Sequence, residues 1–462
     1  MNIENESYRL SRKCIRIISI LIVPLVLCLC NVIEDKKGTL LGVSALNNEI
    51  PKLIDRGEII GLLFEVTPKD YPLSKEQISI SASDCEDVIK LADVEGQGEG
   101  LYCAYIEDLD TGTPWRNEIR IRVRYERAEG EYAECESDPF IVIYAPYEYD
   151  YSVIANDTIY DCNSHAAFTG LINFNGELYL AFRDGNAHRP ATMEDYGVIK
   201  ILVNDGSGWK ENATIKDETK DLRDPFLIDM GGKLRVYIGY NTFEGGQYQH
   251  SGSVYADLDN GQWSEVRPLV HDVPHVVWLW KVRKYADKYY SVAYLEGEYP
   301  VLLSSSDGVH WQTVTFFELA GELSEADLGF IGKTMFVCLR KDKPVGTPSY
   351  WGVSEYPFLA FSWEEMDICV ESPEFLRLPF SNSLLLAGRE RYQSSEEVSV
   401  SLYCATMGGE LKRVAIFDTG VGGDKGYPGL TVKDGLLYCS YYTGLHTDSQ
   451  IRMASLRIIE KN

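Results

Sequence analysis

The chain has 462 residues, a length that allows two domains with a hydrophobic core each. Aromatic residues make up 12% of it and glycine occurs 39 times, a composition that favours short strands and tight turns over helices. The formal net charge of −26 at pH 7 argues against a nucleic-acid partner, because phosphate binding needs a basic surface, but it does not exclude a sugar.

Residues 1–30 are predicted to form an export signal. Basic residues precede an apolar run from Ile17 to Cys30, and its 14 residues are too few for a typical transmembrane helix. The run ends in Leu-Cys-Leu-Cys, which resembles a bacterial lipoprotein signal with Cys30 or Cys28 as the lipidated residue. An uncleaved N-terminal anchor is the alternative. Either way, we expect an exported monomer of the bacterial cell envelope that touches the membrane only through this anchor.

Residues 31–49 are predicted to be a linker and residues 50–146 a small antiparallel β-sandwich. Short alternating stretches such as EIIGLLFEV and EIRIRVRYE are separated by turn signals, a pattern that is typical of sandwich strands. Because no candidate catalytic residues cluster there, we interpret this domain as a spacer or packing module. A sugar-binding module is the alternative.

Residues 150–462 carry an internal repeat. A turn residue followed by a mainly apolar strand occurs six times, at intervals of 45 to 56 residues. The marker residues of the six copies are Gly176, Gly232, Asp287, Gly332, Asn382 and Gly435. A period near fifty that contains only strands is typical of propeller blades. The predicted fold class is therefore all-β, a six-bladed β-propeller preceded by a small β-sandwich; five blades is the alternative if one copy is degenerate.

Two turn motifs support the propeller. The stretch SSDGVHW at 305–311 resembles the Asp-box hairpin common in sialidase-type propellers, and NDGSGW at 204–209 is a weaker copy. In this motif the aspartate caps the turn and the tryptophan packs between strands of the blade. The motif thus indicates the fold and carries no chemistry.

The cysteines give little sign of a disulfide framework or a metal site. Eight cysteines follow the signal, and Cys338, Cys404 and Cys439 lie inside apolar strands, where buried free thiols are predicted. Since the chain has no CxxC pair, the sequence predicts no metal and no cofactor. A three-histidine metal site is the remote alternative.

Polar residues recur at similar places in the repeats. In a propeller the innermost strand of each blade lines the central axis, so residues seven to eleven positions ahead of each marker are expected to face it. These are His165, Arg223 with Asp224, Trp278, Glu325, Glu374 and Tyr427. On the returning strand the corresponding residues are Arg183, Arg340, Arg389 and Tyr442. Three arginines at one register predict a pocket for a carboxylate or another anionic group.

Two of these stretches resemble the sialidase superfamily. SEADLGFIGKTMFVCLR is similar to the segment in which a glutamate begins an inner strand and an arginine ends the next one, the places of Glu325 and Arg340. GYPGLTVKDGLLYCSYY is similar to the late motif that carries a tyrosine, here Tyr427. The resemblance, extended by HAAFTGLINF and LLLAGR, is to a divergent bacterial group of sialidase-like BNR-repeat proteins. It implies a tyrosine nucleophile, a glutamate as its base, and arginines that hold the carboxylate of sialic acid.

The first blade departs from the sialidase pattern. Sialidases place an Arg-Ile-Pro motif on the first inner strand, where this chain has His165-Ala-Ala-Phe. Arg183 or Arg223 is the candidate to replace the missing arginine. The candidate general acids are Asp224, in LRDPF, and Asp184, for which a role in the turn RDGN is the alternative. The histidines predicted to bind substrate hydroxyls are His165, His188 and His446.

The leading hypothesis is an exo-acting glycoside hydrolase that removes a terminal, anionic sugar from a glycan with Tyr427 and Glu325. A glycosidase that uses Asp224 and a second carboxylate is the alternative within enzymes. A surface glycan-binding propeller without catalytic activity is the alternative from another class, because a fold alone does not fix a function.

Overall fold

The computed structural model describes residues 33–34, 40–48, 51–71, 73–82, 88–109, 114–128, 131–144, 147–244, 247–274, 277–295, 297–392 and 396–461. Within these ranges the chain is built from strands, with two short 3-10 turns at Lys75–Gln77 and Met193–Asp195. The predicted export signal at 1–30 lies outside them. No helix in the described part of the chain is long and apolar enough to cross a membrane.

The chain divides into two compact units. The first comprises the described residues of Met1–Lys52, Ile59–Glu107 and Arg116–Val142, and the second those of Leu53–Glu58, Asp108–Trp115 and Ile143–Asn462. The strands up to residue 144 are β1 (Ile33–Glu34), β2 (Leu40–Ala45), β3 (Lys52–Leu53), β4 (Ile59–Thr67), β5 (Ile78–Ala82), β6 (Ile89–Gly98), β7 (Leu101–Asp108), β8 (Trp115–Ala128), β9 (Glu131–Glu136) and β10 (Phe140–Tyr144). They form two five-stranded sheets, β1-β2-β4-β7-β6 and β3-β10-β8-β5 with β9 beside β8.

Side chains alternate between buried and exposed along the strands of the first unit. Leu62, Phe64 and Val66 of β4 are buried, and the residues between them are not. This period of two is what places one face of a sheet against a core. The predicted linker at 31–49 is wrong in part, because β2 lies within it and pairs with β4.

The later strands form groups of four or five. They are β11 (Glu148–Tyr160), β12 (His165–Phe174), β13 (Glu177–Gly185), β14 (Val198–Asn204), β15 (Trp209–Ile215), β16 (Asp221–Asp229), β17 (Leu234–Glu244), β18 (Gln247–Asp259), β19 (Gln262–Trp263), β20 (Arg267–Pro268), β21 (Val270–His271), β22 (Trp278–Tyr285), β23 (Lys288–Tyr294), β24 (Val301–Ser305), β25 (His310–Phe316), β26 (Glu322–Ile331), β27 (Thr334–Lys343), β28 (Tyr350–Glu355), β29 (Ser362–Glu365), β30 (Cys369–Leu376), β31 (Leu384–Arg391), β32 (Glu397–Ala405), β33 (Leu411–Val421), β34 (Asp424–Lys433), β35 (Leu436–Gly444) and β36 (Ser449–Lys461). Antiparallel pairing links the strands within each of six groups. The groups are β12 through β15, β16 through β20, β22 through β25, β26 through β29, β30 through β33, and β34 through β36 together with β11.

The first strand of each group lies at the centre of the second unit. Strands β12, β16, β22, β26, β30 and β34 contact one another in this order, and β34 contacts β12, so they close a ring. Apolar side chains fill the space between adjacent groups, as where Ala181 and Ile201 pack with Leu222 and Val236. This arrangement confirms the predicted all-β propeller. The number of blades stays a prediction, with one blade for each group.

The repeat markers lie at the turn between the first and second strand of their groups. In the Asn175-Gly176 turn and the Asp434-Gly435 turn all four residues have positive φ, as a two-residue type I′ hairpin requires. The Asp-box motif also has the expected structural role. Asp307 accepts hydrogen bonds from the amides of Val309 and His310, and Trp311 is 2% exposed.

Each inner strand is interrupted at the same register. Two residues at this place lack a partner on the second strand, which is the pattern of a β-bulge. The interruptions fall between Ala167 and Gly170, Arg223 and Phe226, Leu279 and Val282, Leu323 and Ala326, Glu371 and Glu374, and Gly426 and Gly429. Four bulge residues, Phe168, Asp224, Ser372 and Tyr427, have φ between 48° and 61°. A bulge turns side chains out of the regular alternation, and Asp224 and Tyr427 among these residues line the candidate site.

Predicted buried thiols were found at two of the three positions. Cys338 and Cys439 are buried and free, whereas Cys404 is half-buried. Burial raises the pKa of both buried thiols, which keeps them protonated and unreactive.

Candidate active site

The bulges bring three sequence-predicted residues to one pocket. Asp224, Glu325 and Tyr427 line it, and the pocket has a volume of about 990 Å³. This is at the upper end of the roughly 300–1,000 Å³ range typical of small-molecule sites. The three side chains come from the second, fourth and sixth inner strands, so only closure of the ring brings them together.

Tyr427 and Glu325 form a hydrogen-bonded pair in this pocket. The Tyr427 hydroxyl donates to Glu325 Oε1 at 2.5 Å, and the other carboxylate oxygen of Glu325 accepts the amide of Ser372 at 2.6 Å. The Ser372 hydroxyl in turn accepts the Tyr427 amide at 3.1 Å. Burial and then the charge of Glu325 raise the pKa of Tyr427 well above its usual value, so the resting phenol keeps its proton beside a base.

Asp224 has an environment suited to a protonated carboxyl group. Burial is the main cause that raises its pKa to about 7; Arg223 opposes this shift and Glu325 adds to it. Its Oδ1 is buried and has no hydrogen-bond partner in the described part of the chain. A carboxyl group that is part protonated near neutrality can donate a proton to a leaving group and later take one from water.

Two of the four predicted arginines line the pocket. Arg340 lies 2.8 Å from Glu325 and 2.9 Å from Asp342, whereas Arg223 comes no closer than 3.7 Å to Asp221 or Asp224. The Nε atom of Arg223 is buried without a hydrogen-bond partner among the described residues, whereas the Nε atom of Arg340 is the one that lies 2.9 Å from Asp342. Unsatisfied buried donors that face a cavity mark a place where a polar ligand group can sit.

The other two predicted arginines are bound inside the protein. Arg183 is fully buried and donates to Asp221 at 2.8 Å, and Arg389 pairs with Glu371 and the carbonyl of Lys425. Neither lines the pocket. An acidic residue near the start of an inner strand binds each of them, so the structure does not bring them into the pocket with Arg340, although the Arg389 guanidinium lies 5.4 Å from the centroid of the Tyr427 ring.

Three histidines meet on one carboxylate that sequence reasoning missed. The nitrogen atoms of His165, His188 and His446 lie 2.9, 2.6 and 3.1 Å from Asp424 Oδ2, and the Tyr442 hydroxyl donates to Oδ1 at 2.5 Å. Only His188 also lines the pocket. His165 and Tyr442 are buried with their polar atoms bonded inside the protein, so they are not available to substrate hydroxyls, whereas His446 is exposed and uses only its Nδ1 atom on Asp424, so its predicted role stays a prediction.

The spacing of this cluster resembles a metal site, but its hydrogen bonds do not fit one. The ligand atoms of His165, His188 and Asp424 lie within 4.8 Å of one another. The outer ring nitrogens of the two histidines face Arg183 and Arg223 at 3.4 and 3.5 Å. Arginine only donates, so those nitrogens accept, and the N–H groups point at Asp424 where a metal ligand needs a lone pair. The cluster is thus a hydrogen-bond network around a carboxylate.

Of the remaining candidates, Asp184 and Glu374 do not line the pocket. Asp184, predicted as a possible general acid, accepts hydrogen bonds from Tyr160 and Ser164, and this explains why it is not free for catalysis. Glu374 binds Lys281 at 2.5 Å. Trp278 does line the pocket, as expected for an inner-strand residue.

Two aromatic residues that the sequence analysis did not predict, Trp280 of β22 and Tyr294 of β23, also line the pocket. Trp280 contacts the Tyr427 ring with a centroid distance of 5.6 Å, and Tyr294 stacks with Trp278 at 6.3 Å. The run Trp-Leu-Trp at 278–280 is the signal that could have indicated this wall, because two tryptophans on one inner strand exceed what a core needs there.

The buried histidine network makes stability depend on pH. Burial lowers the pKa of His188 to about 4, below its ordinary value near 6.5. As pH falls below 6.5, His188 becomes protonated in the unfolded chain but stays neutral in the folded chain. The free energy of unfolding therefore decreases between about pH 7 and pH 4. We expect His188→Asn to reduce the pH slope of the free energy of unfolding by about 1 kcal/mol per pH unit, measured by chemical unfolding. The control is His250→Asn, at an exposed position on β18. Equal pH slopes in the unmodified protein and both variants would contradict the lowered pKa of His188.

Comparison with known proteins gives a result for the fold alone. No protein-family model and no curated protein matches the chain. Among solved structures it is similar to the NanB sialidase from Streptococcus pneumoniae (10% identity, TM-score 0.50, covering 86% of this chain and 83% of that one) and to the phage phi92 endosialidase (11%, 0.51, 74% and 73%). Trypanosoma rangeli sialidase matches at 12% identity with a TM-score of 0.49, and the chain spans 59% of its length. The chain therefore has a sialidase-like fold.

Proposed function

We propose that the protein is an exo-acting glycoside hydrolase that removes a terminal anionic sugar from a glycan, with Tyr427 as the nucleophile. The observation that carries the proposal is the 2.5 Å hydrogen bond from the Tyr427 hydroxyl to Glu325 within the pocket. The sialidase-like fold supports it, since the two similar structures are described as a sialidase and an endosialidase. Export to the cell envelope remains part of the proposal and rests on the sequence of residues 1–30.

The first chemical step forms a covalent link to Tyr427. Glu325 takes the phenol proton while the phenol oxygen attacks the anomeric carbon. The bond from that carbon to the leaving oxygen breaks, and Asp224 gives this oxygen its proton. A neutral phenol approaches an anionic sugar without the repulsion that a carboxylate nucleophile would meet, and tyrosine is a known exception among glycosidase nucleophiles.

The second step releases the sugar and restores the site. Asp224, now a carboxylate, takes a proton from a water molecule as the water oxygen attacks the anomeric carbon. The bond to Tyr427 breaks, and Glu325 returns the proton to the phenol oxygen. Each residue ends in its starting protonation state, so no cofactor is needed.

In this proposal Arg223 and Arg340 hold the anionic group of the sugar. Both line the pocket, and the buried Nε of Arg223 has no hydrogen-bond partner among the described residues, while Arg340 pairs with Glu325 and Asp342. Arg223 lies 4.7 Å above the Phe168 ring, which fixes the plane of its guanidinium. Guanidinium groups bind carboxylates through paired hydrogen bonds, so two of them suffice to orient a sugar acid.

Replacement of Tyr427 by phenylalanine tests the nucleophile. We expect kcat for a sialoside to fall by about 1,000-fold, because the attacking oxygen is removed while the ring packing stays. Tyr255→Phe, at a buried position of β18, is the control for loss of a phenol. Hydrolysis at the original rate would rule out the tyrosine mechanism and favour the two-carboxylate alternative, and tight binding without any turnover would favour a binding protein.

The pH dependence of the rate tests Asp224 as the acid. Because its pKa is about 7, the carboxyl form is lost as pH rises above that value. We expect kcat/KM for a natural sialoside to fall by about tenfold per pH unit above about pH 7. Asp224→Asn is expected to lose about 100-fold or more on this substrate, and much less on a nitrophenyl glycoside, whose leaving group needs no proton. If kcat/KM of Asp224→Asn falls above pH 7 as it does in the unmodified protein, Asp224 is not the general acid.

Substitution of Arg223 tests recognition of the anion. We expect Arg223→Gln to reduce kcat/KM for a sialoside by about 100-fold, mainly through KM, since it removes charge-assisted hydrogen bonds to the substrate. Arg457→Gln, on the exposed face of β36, removes the same charge far from the pocket. If Arg223→Gln leaves KM unchanged, Arg223 does not hold the anionic group.

A further inference from the structure

The backbone of Tyr427 is held by hydroxyl groups from both neighbouring inner strands. Tyr427 lies in the bulge of β34, where it has no paired residue on β35. The Thr169 hydroxyl of β12 donates to the Tyr427 carbonyl oxygen at 2.7 Å, and the Ser372 hydroxyl of β30 accepts the Tyr427 amide at 3.1 Å. Strands β12 and β30 flank β34 in the ring, so one hydroxyl group reaches this backbone from each side.

Both hydroxyl groups come from bulges and are shielded from water. Thr169 and Ser372 lie among the residues that have no paired residue on the second strand of their own groups. Their side chains are 2% and 1% exposed. A buried backbone amide or carbonyl group without a hydrogen-bond partner costs free energy. The bulge at Tyr427 is therefore stabilised by side chains of two other strands, in place of the hydrogen bonds that a regular ladder would supply.

A further hydroxyl group fixes the orientation of Thr169. Ser440 Oγ lies 2.8 Å from Thr169 Oγ1. A hydroxyl group has one hydrogen, and that of Thr169 is donated to the Tyr427 carbonyl, so Ser440 is the donor to Thr169. Gly429 allows this close approach, because a Cβ atom there would lie 2.7 Å from the Leu171 nitrogen and 2.9 Å from Ser440 Oγ.

Ser372 also contacts the partner of the Tyr427 phenol. Its amide donates to Glu325 Oε2 at 2.6 Å, while Glu325 Oε1 accepts the Tyr427 hydroxyl at 2.5 Å. One residue thus contacts both members of the pair. The φ angle of Tyr427 is 50°, a left-handed conformation that a tyrosine rarely adopts. A return to negative φ would change the direction of its side chain and move the phenol away from Glu325.

We propose that Thr169 and Ser372 are positioning residues, whose hydroxyl groups hold Tyr427 in the left-handed conformation in which its phenol reaches Glu325. The inference rests on the proposed function for the role of Tyr427 as the nucleophile. Neither Thr169 nor Ser372 lines the pocket. Loss of either hydroxyl group therefore slows the chemical step and leaves substrate binding unchanged.

Kinetics of paired variants test the positioning role. We expect Thr169→Val, which keeps the shape of the side chain and removes the hydroxyl group, to lower kcat for a sialoside by about tenfold, with KM changed less than about twofold. Thr169→Ser restores the hydroxyl group and is expected to keep kcat within about twofold of the unmodified protein. Ser372→Ala is expected to match Thr169→Val. Ser372→Gly also removes the hydroxyl group but tolerates the positive φ at this position, so it should lose as much as Ser372→Ala.

Thr431→Val is the matched control. The Thr431 hydroxyl accepts the Asn173 amide at 3.0 Å, so it also joins β34 to β12, but Thr431 lies outside the bulge and does not line the pocket. We expect this variant to keep its kcat, although it loses a buried hydroxyl group of the same kind. The proposal is overturned if Thr169→Val and Ser372→Ala lower kcat no more than Thr431→Val does, or if Thr169→Ser does not restore it.

Hydrogen exchange of single amides, followed by mass spectrometry, tests the contact without turnover. We expect the Tyr427 amide to exchange about tenfold faster in Ser372→Ala, whereas in Thr431→Val the Asn173 amide responds instead. Unchanged exchange of the Tyr427 amide in Ser372→Ala overturns the proposal even if hydrolysis is lost. Absence of hydrolysis in the unmodified protein contradicts the proposed function, and the exchange rates then still decide whether Ser372 holds Tyr427.

Discussion

The architecture depends on the closure of a ring of inner strands. β11 precedes the first group in the chain, yet it pairs along most of its length with β36, the last strand. A strand from before the first group therefore completes the last group. Closure removes the free sheet edges that an open array would expose. It also brings the starts of six strands close together around one axis. Polar side chains there lose contact with water, so they form hydrogen bonds and ion pairs with one another. The buried ion pairs of Arg183, Arg389 and Lys281 follow from this crowding.

The repeated bulge turns this crowding into a site. In a regular strand at the axis, alternate side chains would point toward the sheets on either side. At a bulge, two residues lie opposite one residue of the partner strand, so their side chains do not follow this alternation. Pro225, Pro373 and Pro428 follow bulge residues with positive φ and have no amide to donate, so they fit where the ladder is broken. Backbone strain of this kind is concentrated at functional sites because the surrounding structure can hold it. Asp224 and Tyr427 share this conformation, and both face the pocket.

Sequence reasoning reached the repeated hairpins and two residues of the pocket for identifiable reasons. Turn residues such as Gly176 and Gly435 recur at a period that only a repeated sheet explains. Glu325 and Tyr427 lie seven and eight residues ahead of such turns, and the resemblance to sialidase motifs singled them out. Arg183 was misplaced because register does not reveal whether a nearby acid, here Asp221, will capture an arginine. Asp424 was missed because an aspartate after two glycines reads as a turn residue. Partners separated by more than two hundred residues, as His165 and Asp424 are, become visible only when the ring closes.

The carboxylate of Asp424 has a consequence for how this protein can change. Hydrogen bonds from His165 and His188 overcome the effect of burial and hold the pKa of Asp424 well below its usual range, so a permanent negative charge lies beside His165. An arginine introduced at His165 would meet this resident anion and be neutralised by it, while loss of Asp424 alone would leave a buried group of unmatched donors. The two positions are therefore energetically coupled, and a substitution at one of them changes which side chains the other can tolerate.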